Sequence, residues 1–267
     1  MEVCHEERYR FKKDRMKKGI YVLPNLFTTA SLFSGFYSVI ASMQGLYEIA
    51  AWTILIAIVF DGLDGRIARM THTTSKFGAE YDSLSDLVAF GVAPALLAYH
   101  WALLSYGKWG WLAAFLFVAC GALRLARFNV QMGVIDSKVF NGLAIPAGAS
   151  VLATTVLLYY KLGGEGQFHN LTIHIGTVII ALLMVSNIKY YSFKNLNFFA
   201  RKPFMSFVLI LVILVIVVAE PQIMIFTFCF GYALSGPVWL IYKLRKKVPV
   251  EHTDKGTHYE SEEPVKK

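Results

Sequence analysis

The sequence predicts an all-α fold, a polytopic membrane helix bundle with a six-helix core and two further spanning helices at the C-terminal end. Three observations predict it. Apolar residues make up 56% of the 267 residues and charged residues only 16%, whereas soluble domains carry about 25% charge. Eight stretches approach the roughly 20 apolar residues that cross a bilayer. Basic residues are concentrated in alternate connections between these stretches.

The eight predicted spans follow one another along most of the chain. The first is longer than the roughly 7–15 apolar residues of a signal peptide, so we expect it to be retained as a helix. The second becomes polar from Asp61 onward, and Glu220-Pro221 predicts a turn between the short seventh span and the eighth. The spans are residues 21–43, 47–70, 84–104, 109–128, 143–162, 171–188, 204–219 and 223–242.

The basic residues distinguish the two sides of the predicted bundle. If the N-terminus is cytoplasmic, all 26 Lys and Arg residues except Lys108 and Lys161 lie at or beyond the cytoplasmic ends of the spans. The positive-inside rule predicts this bias. We therefore expect a multi-pass protein of the inner (cytoplasmic) membrane with both termini in the cytoplasm. The net charge of +8 then needs no nucleic-acid partner.

The chain divides into four predicted segments. Residues 1–20 form a basic juxtamembrane segment, which either lies along an anionic leaflet as an interfacial helix or is a solvated flank that sets the topology. Residues 21–190 form the membrane core, and residues 191–247 contain the two extra helices. Residues 248–267 are polar, of mixed charge, and are expected to be a disordered tail.

Four aspartates at the cytoplasmic ends of the second and third spans carry the predicted chemistry. On a helix, Asp61 and Asp64 lie roughly 60° apart, and Asp82 and Asp86 roughly 40° apart. Two neighbouring helices would therefore direct two carboxylates each into one space, where they would repel one another. A divalent cation resolves the repulsion, and all-oxygen ligands suit Mg²⁺ or Mn²⁺. A metal held in this way, with room for phosphate, predicts phosphoryl transfer.

Small residues and an arginine surround these aspartates. Gly62 and Gly65 would let a phosphate or nucleotide approach the backbone closely, and Ala68 keeps the helix face narrow. Arg69 can bind phosphate oxygens through its planar fork. Gly78 would allow close packing or a turn before Asp82.

A structural alternative is that the aspartates pair with Arg66 and Arg69 as ordinary loop charges. Two arginines cannot neutralise four buried carboxylates, so the sequence favours the metal site.

The spacing of these residues resembles the signature of a known family, the CDP-alcohol phosphatidyltransferases. The signature reads Asp-x2-Asp-Gly-x2-Ala-Arg-x8-Gly-x3-Asp-x3-Asp. All of its fixed positions are present: Asp61, Asp64, Gly65, Ala68, Arg69, Gly78, Asp82 and Asp86. Segment 23–28 is similar to the entry to the nucleotide pocket in this family. Segments 33–36, 124–129 and 141–147 are similar to the bacterial and archaeal branch of the family that uses serine as the acceptor. The likeness covers roughly residues 19–162.

The resemblance implies a role for each aspartate. Asp61 and Asp82 would bridge two metal ions, Asp64 would complete one site and Asp86 the other. Asp86 would also be the general base that activates the acceptor hydroxyl. The implied reaction transfers the phosphatidyl group of CDP-diacylglycerol to a small alcohol, L-serine in this branch, with Mg²⁺ or Mn²⁺ as cofactor.

The resemblance also implies contacts to the lipid substrate and to a partner. We expect the CDP-lipid to be bound by Pro24, Asn25, Thr28, Gly62, Gly65, Ala68, Arg69, Ser75 and Gly78. The family suggests a homodimer surrounded by membrane lipids. The six-helix core is typical of the family, and the two extra C-terminal helices depart from it.

Arg124 and Arg127 lie at the cytoplasmic end of the fourth span, on the side of the aspartates. They could bind the carboxylate of serine, or they could be topology charges or phosphate contacts.

Three other functions stay open at this point. The acceptor could be glycerol 3-phosphate, an inositol compound such as inositol phosphate, or choline, because the aspartates recognise only the CDP-lipid. A transporter that uses the acids as a cation site would be expected to repeat them in its second half, and no second copy is present. A catalytically silent membrane protein would not need all four aspartates.

Overall fold

The computed structural model describes residues 2–71, 75–131, 139–168, 170–191 and 219–246. Within them the fold is almost entirely helical, as the sequence predicts. Four helical segments are long and apolar enough to cross a membrane: Leu23–Met43, Lys76–Tyr106, Lys108–Gln131 and Pro221–Leu240. Exposed Phe33, Phe36 and Phe115 on these segments fit helices that face lipid rather than water.

The first two helices form a tightly packed pair that positions the site. Helix α1 is Glu2–Met43 and helix α2 is Tyr47–Met70. Small residues line their contact, and the hydroxyl of Ser31 donates a 3.1 Å hydrogen bond to the carbonyl of Ala57. The hydroxyl of Ser38 donates likewise to the carbonyl of Ala50, at 2.9 Å. Small residues and interhelical hydroxyl bonds stabilise helix pairs inside membranes, where the hydrophobic effect does not.

The third spanning segment is one continuous helical rod with changing geometry. Its parts are helix α3 (Lys76–Asp86), a π-helix (Leu87–Val92), helix α4 (Ala93–Ala98), a second π-helix (Tyr99–Leu103) and a 3₁₀ turn (Leu104–Tyr106). Pro94 has no amide hydrogen to donate to the carbonyl one turn earlier, which favours the irregular segment directly after the aspartates. π-Helical turns are common at functional sites.

The predicted start of this segment, at residue 84, is wrong. The helix begins at Lys76, because the side chain of Ser75 caps it by accepting a 2.9 Å hydrogen bond from the amide of Gly78. Asp82 and Asp86 consequently lie on the second and third turns of a helix, rather than at its entrance. The connection between the two helices is the short stretch between Met70 and Lys76.

Four more helices complete the described bundle. Helix α5 is Lys108–Gln131, α6 is Ile145–Lys161, α7 is Leu171–Val185 and α8 is Pro221–Lys246. Helix α6 is buried along most of its length and packs against both α2 and α8, while α5 packs against α7. The predicted span 204–219 lies outside the described residues except for Ala219, and so does the predicted tail 248–267.

A short antiparallel pair of strands lies among the helix connections. Strand β1 (Val139–Asn141) precedes α6, and strand β2 (Lys189–Tyr191) follows α7. Val139 pairs with Tyr191 and Asn141 with Lys189. The sequence did not predict this ladder, because three residues on each side are too few for a recognisable alternation. The pair of strands joins the connection that follows α5 to the connection that follows α7.

Candidate metal centre

The acidic side chains of α2 and α3 meet in one place. Carboxylate oxygens of Asp61, Asp64 and Asp82 lie within 4.8 Å of one another. Asp64 is the most enclosed of the three, with 5% of its surface exposed. The predicted convergence of two helices on one acidic centre is therefore present for these three residues.

Helix α1 fixes the position of this cluster. The hydroxyl of Thr28 donates a 2.7 Å hydrogen bond to Oδ2 of Asp64. The hydroxyl of Ser85, on α3, donates a 3.1 Å hydrogen bond to the carbonyl of Thr28. Thr28 thus links α2 and α3 through one residue of α1.

Asp86 lies beside the cluster. Its carboxyl group is within hydrogen-bonding range of Asp61 and interacts electrostatically with Asp82 and Asp64. It is not part of the set whose oxygens all lie within 4.8 Å of one another. Asp86 is therefore next to the cluster of three carboxylates but does not belong to it.

The donor set fits a divalent cation. Oδ1 of Asp82 is buried and has no hydrogen-bond partner among the described residues. Within the described residues, none of the four aspartates forms an ion pair with an arginine or lysine. Buried carboxylates without counter-ions are costly, and hard oxygen ligands suit Mg²⁺ or Mn²⁺. The cluster could hold such an ion.

The alternative in which arginines neutralise the aspartates is wrong for the described residues. Arg69 donates a 2.8 Å hydrogen bond from Nε to the carbonyl of Gly65, one turn earlier on its own helix. Arg66 is exposed and forms no ion pair with the cluster.

A cavity of about 190 Å³ opens beside the cluster. It brings together every predicted contact to the CDP-lipid except Gly62 and Arg69, and it adds Ala79, which the sequence analysis missed. Asp64 and Asp82 form the part of its wall that belongs to the acidic cluster. The remaining lining residues are Pro24, Asn25, Thr28, Gly65, Ala68, Ser75, Gly78 and Ala79.

Three glycines of the predicted motif differ in their surroundings. A Cβ added at Gly62 or Gly65 would meet nothing within 4 Å, so the backbone there is open to a ligand. A Cβ at Gly78 would lie 3.1 Å from Oγ of Ser75 and 3.4 Å from Oδ1 of Asn25. Gly78 therefore keeps the cavity wall clear, and Ser75 both caps α3 and lines the cavity.

The two predicted acceptor-binding arginines lie on α5. Arg124 interacts electrostatically with Asp86, and its Nε is buried without a hydrogen-bond partner in the described part of the chain. Arg127 is half-buried about one turn later and forms no ion pair with a described carboxylate. Nδ2 of Asn129 donates a 3.0 Å hydrogen bond to Ser83, which ties the end of α5 to α3.

One neighbour of the site gave no signal that sequence reasoning could use. Ser85 is one of many serines in apolar helices, and only its contact with Thr28 marks it.

Comparison with known proteins supplies the identity of this arrangement. Residues 21–188 match the sequence model of the CDP-alcohol phosphatidyltransferase family. The chain belongs to this family. CDP-alcohol phosphatidyltransferases depend on metal ions, in agreement with the acidic cluster.

Individual relatives in the family are similar over most of the chain. A Helicobacter pylori protein named CDP-diacylglycerol--serine O-phosphatidyltransferase is 39% identical over 230 residues, which is 85% of this chain and 94% of the relative. A Methanocaldococcus jannaschii protein of the same name is 38% identical over 67% of this chain and 78% of its own. A Methanothermobacter thermautotrophicus archaetidylserine synthase is 37% identical over 66% of this chain and 72% of its own.

Proposed function

We propose that this chain transfers the phosphatidyl group of CDP-diacylglycerol to L-serine, giving phosphatidylserine and CMP. The observation that carries the proposal is the set of three converging carboxylates beside a cavity lined by the family's signature residues. The names of the relatives support serine as the acceptor.

The cavity is proposed to bind the CDP-lipid. Its walls come from α1, α2 and α3, at the end of the apolar helices where a lipid headgroup lies. Pro24, Asn25 and Thr28 would contact the nucleotide from α1, and Gly65 would present its open backbone to phosphate. Ala68, Ser75 and Gly78 form the rest of the wall. Gly62 and Arg69 lie outside the cavity lining but within the same motif, where phosphate oxygens remain their proposed contact.

The aspartates are proposed to hold two metal ions. The carboxylates of Asp61, Asp64, Asp82 and Asp86 would hold them. Bound Mg²⁺ or Mn²⁺ would neutralise the pyrophosphate and the leaving phosphate. Thr28 keeps the Asp64 carboxylate in place through its 2.7 Å hydrogen bond.

Asp86 is proposed to be the general base. Its carboxylate accepts the proton of the serine hydroxyl while the serine oxygen forms a bond to the phosphorus next to the lipid. The bond from that phosphorus to the bridging oxygen breaks, and CMP leaves with the electron pair. Arg124 and Arg127 would bind the serine carboxylate and so orient the hydroxyl toward Asp86.

The arrangement around this site is proposed to follow the family. Six core helices within residues 21–190 would span the inner (cytoplasmic) membrane, followed by two more within residues 191–247. Both termini would lie in the cytoplasm, and two copies would form a homodimer. The one-sided distribution of basic residues supports this orientation.

A purified-enzyme assay tests the proposed reaction. Protein with Mg²⁺ and CDP-diacylglycerol is offered serine, glycerol 3-phosphate, inositol phosphate or choline in turn, and CMP is measured. Serine is expected to give the highest CMP release, with phosphatidylserine as the lipid product. Release with a different acceptor alone would overturn the choice of serine. No release with any acceptor would revive the transporter alternative.

A further inference from the structure

The π-helix that directly follows Asp86 is in close contact with the first helix. It comprises Leu87–Val92, and its central residues are buried. It packs against α1, where a Cβ added at Gly35 would lie 2.5 Å from Cα of Ala89. The backbones of α1 and the π-helix therefore touch, and the π-helix has no room to move closer to α1.

The π-helix also meets the side chain of Ile145, the first residue of α6. Ile145 is 0% exposed, and its Cδ1 would lie 3.9 Å from a Cβ added at Gly91. Because Gly91 is two residues after Ala89, the two positions lie on nearly opposite sides of a helix. The π-helix is thus held between α1 on one side and Ile145 on the other.

The same methyl group of Ile145 also contacts α5. A Cβ added at Gly121 would lie only 2.6 Å from Cδ1 of Ile145 and 3.3 Å from its Cγ1. The π-helix, α5 and α6 all pack against one another. Ile145 therefore fills the space between α5 and the π-helix, and Gly121 leaves the room for it.

Backbone hydrogen bonds fix the start of α6 and with it the position of Ile145. The amide of Gly142 donates a 2.8 Å hydrogen bond to the carbonyl of Ile188, and the amide of Leu143 donates a 3.0 Å hydrogen bond to the carbonyl of Leu183. The entry to α6 is thereby bonded to the end of α7 and the connection after it. Ile145 consequently has little freedom to withdraw from the π-helix and α5.

Each of the two elements that Ile145 separates carries a residue proposed to act on the acceptor. Asp86 directly precedes the π-helix, and Arg124 lies about one turn after Gly121 on α5. The CDP-lipid is proposed to bind elsewhere, in the cavity beside the acidic cluster. The lining of that cavity contains no described residue of α5 or α6.

We infer that Ile145 is a positioning residue that sets the separation between the π-helix next to Asp86 and helix α5, which carries Arg124. A change in this separation moves the proposed base relative to the arginine proposed to bind the serine carboxylate, and it leaves the CDP-lipid cavity unchanged. The inference rests on the proposed function, since it takes serine as the acceptor.

The test moves one methyl group across the contact between α6 and α5. Ile145→Val removes Cδ1, and Gly121→Ala adds a Cβ that would overlap with this Cδ1. In the double variant the added methyl group occupies the space that the lost one leaves. Ile180→Val, which shortens another buried isoleucine on α7, is the matched control.

The expected result is a loss in each single variant and a recovery in the double variant. We expect kcat/KM for serine to fall about 10-fold in Ile145→Val and about 100-fold in Gly121→Ala, because small displacements of reacting groups are costly. The double variant should return to within about 3-fold of the unchanged full-length enzyme. The KM for CDP-diacylglycerol should be the same in all of them.

The control separates positioning from stability. Ile180→Val and Ile145→Val lose the same buried methyl group, so thermal unfolding in detergent should show a similar loss of stability in both. Only Ile145→Val should lose activity with serine. Equal losses of activity in the two variants would mean a general effect of destabilisation and would overturn the inference.

The remaining outcomes distinguish this inference from the proposed function. If the unchanged enzyme releases no CMP with serine, the proposed function fails and the inference with it. If it does release CMP, an unchanged kcat/KM for serine in Ile145→Val overturns the inference alone, and so does a parallel rise in the KM for CDP-diacylglycerol. If Gly121→Ala does not fold, the double variant decides: activity above that of Ile145→Val supports the inference, and activity at or below it overturns it.

Discussion

The hydroxyl of Thr28 lies 2.7 Å from Oδ2 of Asp64 and joins the first helix to the acidic centre of the second. Asp64 is the most enclosed member of the cluster that could hold a metal ion. One hydroxyl on α1 therefore orients a carboxylate that belongs to the signature of the family. The segment around Thr28 is thus part of the site, although it lies well before the motif in the sequence.

Removing this hydroxyl should weaken catalysis without unfolding the protein. Thr28→Val keeps the shape of the side chain and loses a hydrogen bond to a charged group, which contributes about 1.5–3 kcal/mol. We expect kcat/KM for CDP-diacylglycerol to fall at least about 10-fold. Thr53→Val is the control, because among the described residues the Thr53 hydroxyl bonds only to the carbonyl of Ala50 within its own helix. Equal activity of the two variants would contradict the role of Thr28.

Replacing Asp82 by a neutral residue should make the metal-free protein more stable but the enzyme inactive. Its Oδ1 is buried and has no hydrogen-bond partner among the described residues, and two other carboxylates lie beside it. The metal-free protein therefore contains unrelieved repulsion. Asp82→Asn is expected to stabilise the metal-free protein by about 1 kcal/mol and to abolish turnover. Thermal unfolding in the presence of EDTA and in the presence of Mg²⁺ measures the stability of each protein. The unchanged protein should be stabilised strongly by Mg²⁺, and Asp82→Asn only weakly; an equal Mg²⁺ effect on both would place the metal elsewhere.

Asp86→Asn should leave a folded protein with almost no turnover. The carboxylate next to Asp61 is the proposed acceptor of the serine proton, and an amide cannot accept it at useful rates. We expect kcat to fall at least about 1,000-fold, within the range attributed to general bases. Glu80→Gln, an exposed carboxylate on the same helix, serves as the control. Near-normal turnover in Asp86→Asn would refute the assignment.

Alanine substitutions at two glycines of the motif should cause two different kinds of defect. Gly65→Ala places a methyl group where nothing lies within 4 Å, so stability should be unchanged while the KM for CDP-diacylglycerol rises, because phosphate can no longer approach the backbone. Gly78→Ala brings a methyl group against Ser75 and Asn25 and should reduce both stability and substrate binding. Gly176→Ala, also in open space, is the control. A Gly65→Ala enzyme with normal KM would mean that the substrate does not reach this backbone.

Much of the fold could be predicted because apolar length and charge are local properties of the sequence. Helices α2, α5, α6, α7 and α8 lie where the apolar stretches predicted them, and α1 contains the predicted first span but begins earlier, at Glu2. The start of α3 was misplaced, since residues 76–83 are polar and apolarity was the signal used. The cap that decides the boundary is a single serine, Ser75. The predicted six-plus-two arrangement stays a prediction.

The acidic centre could be predicted because its spacing places each pair on one helix face, and Asp61, Asp64 and Asp82 indeed converge. Residues from other parts of the chain could not be predicted in the same way. Ser85 reaches the site only because α1 packs on α3, where its hydroxyl meets the carbonyl of Thr28. That contact depends on the packing of the bundle, which no local pattern encodes.

The most direct test is anomalous diffraction from crystals of the protein that contain Mn²⁺ and the CDP-lipid. We expect one manganese peak among the carboxylate oxygens of Asp61, Asp64 and Asp82, and a second peak among those of Asp61, Asp82 and Asp86. The lipid pyrophosphate should lie against the same ions. Ordered nucleotide with no manganese among these aspartates, or manganese bound at another place, would contradict this expectation.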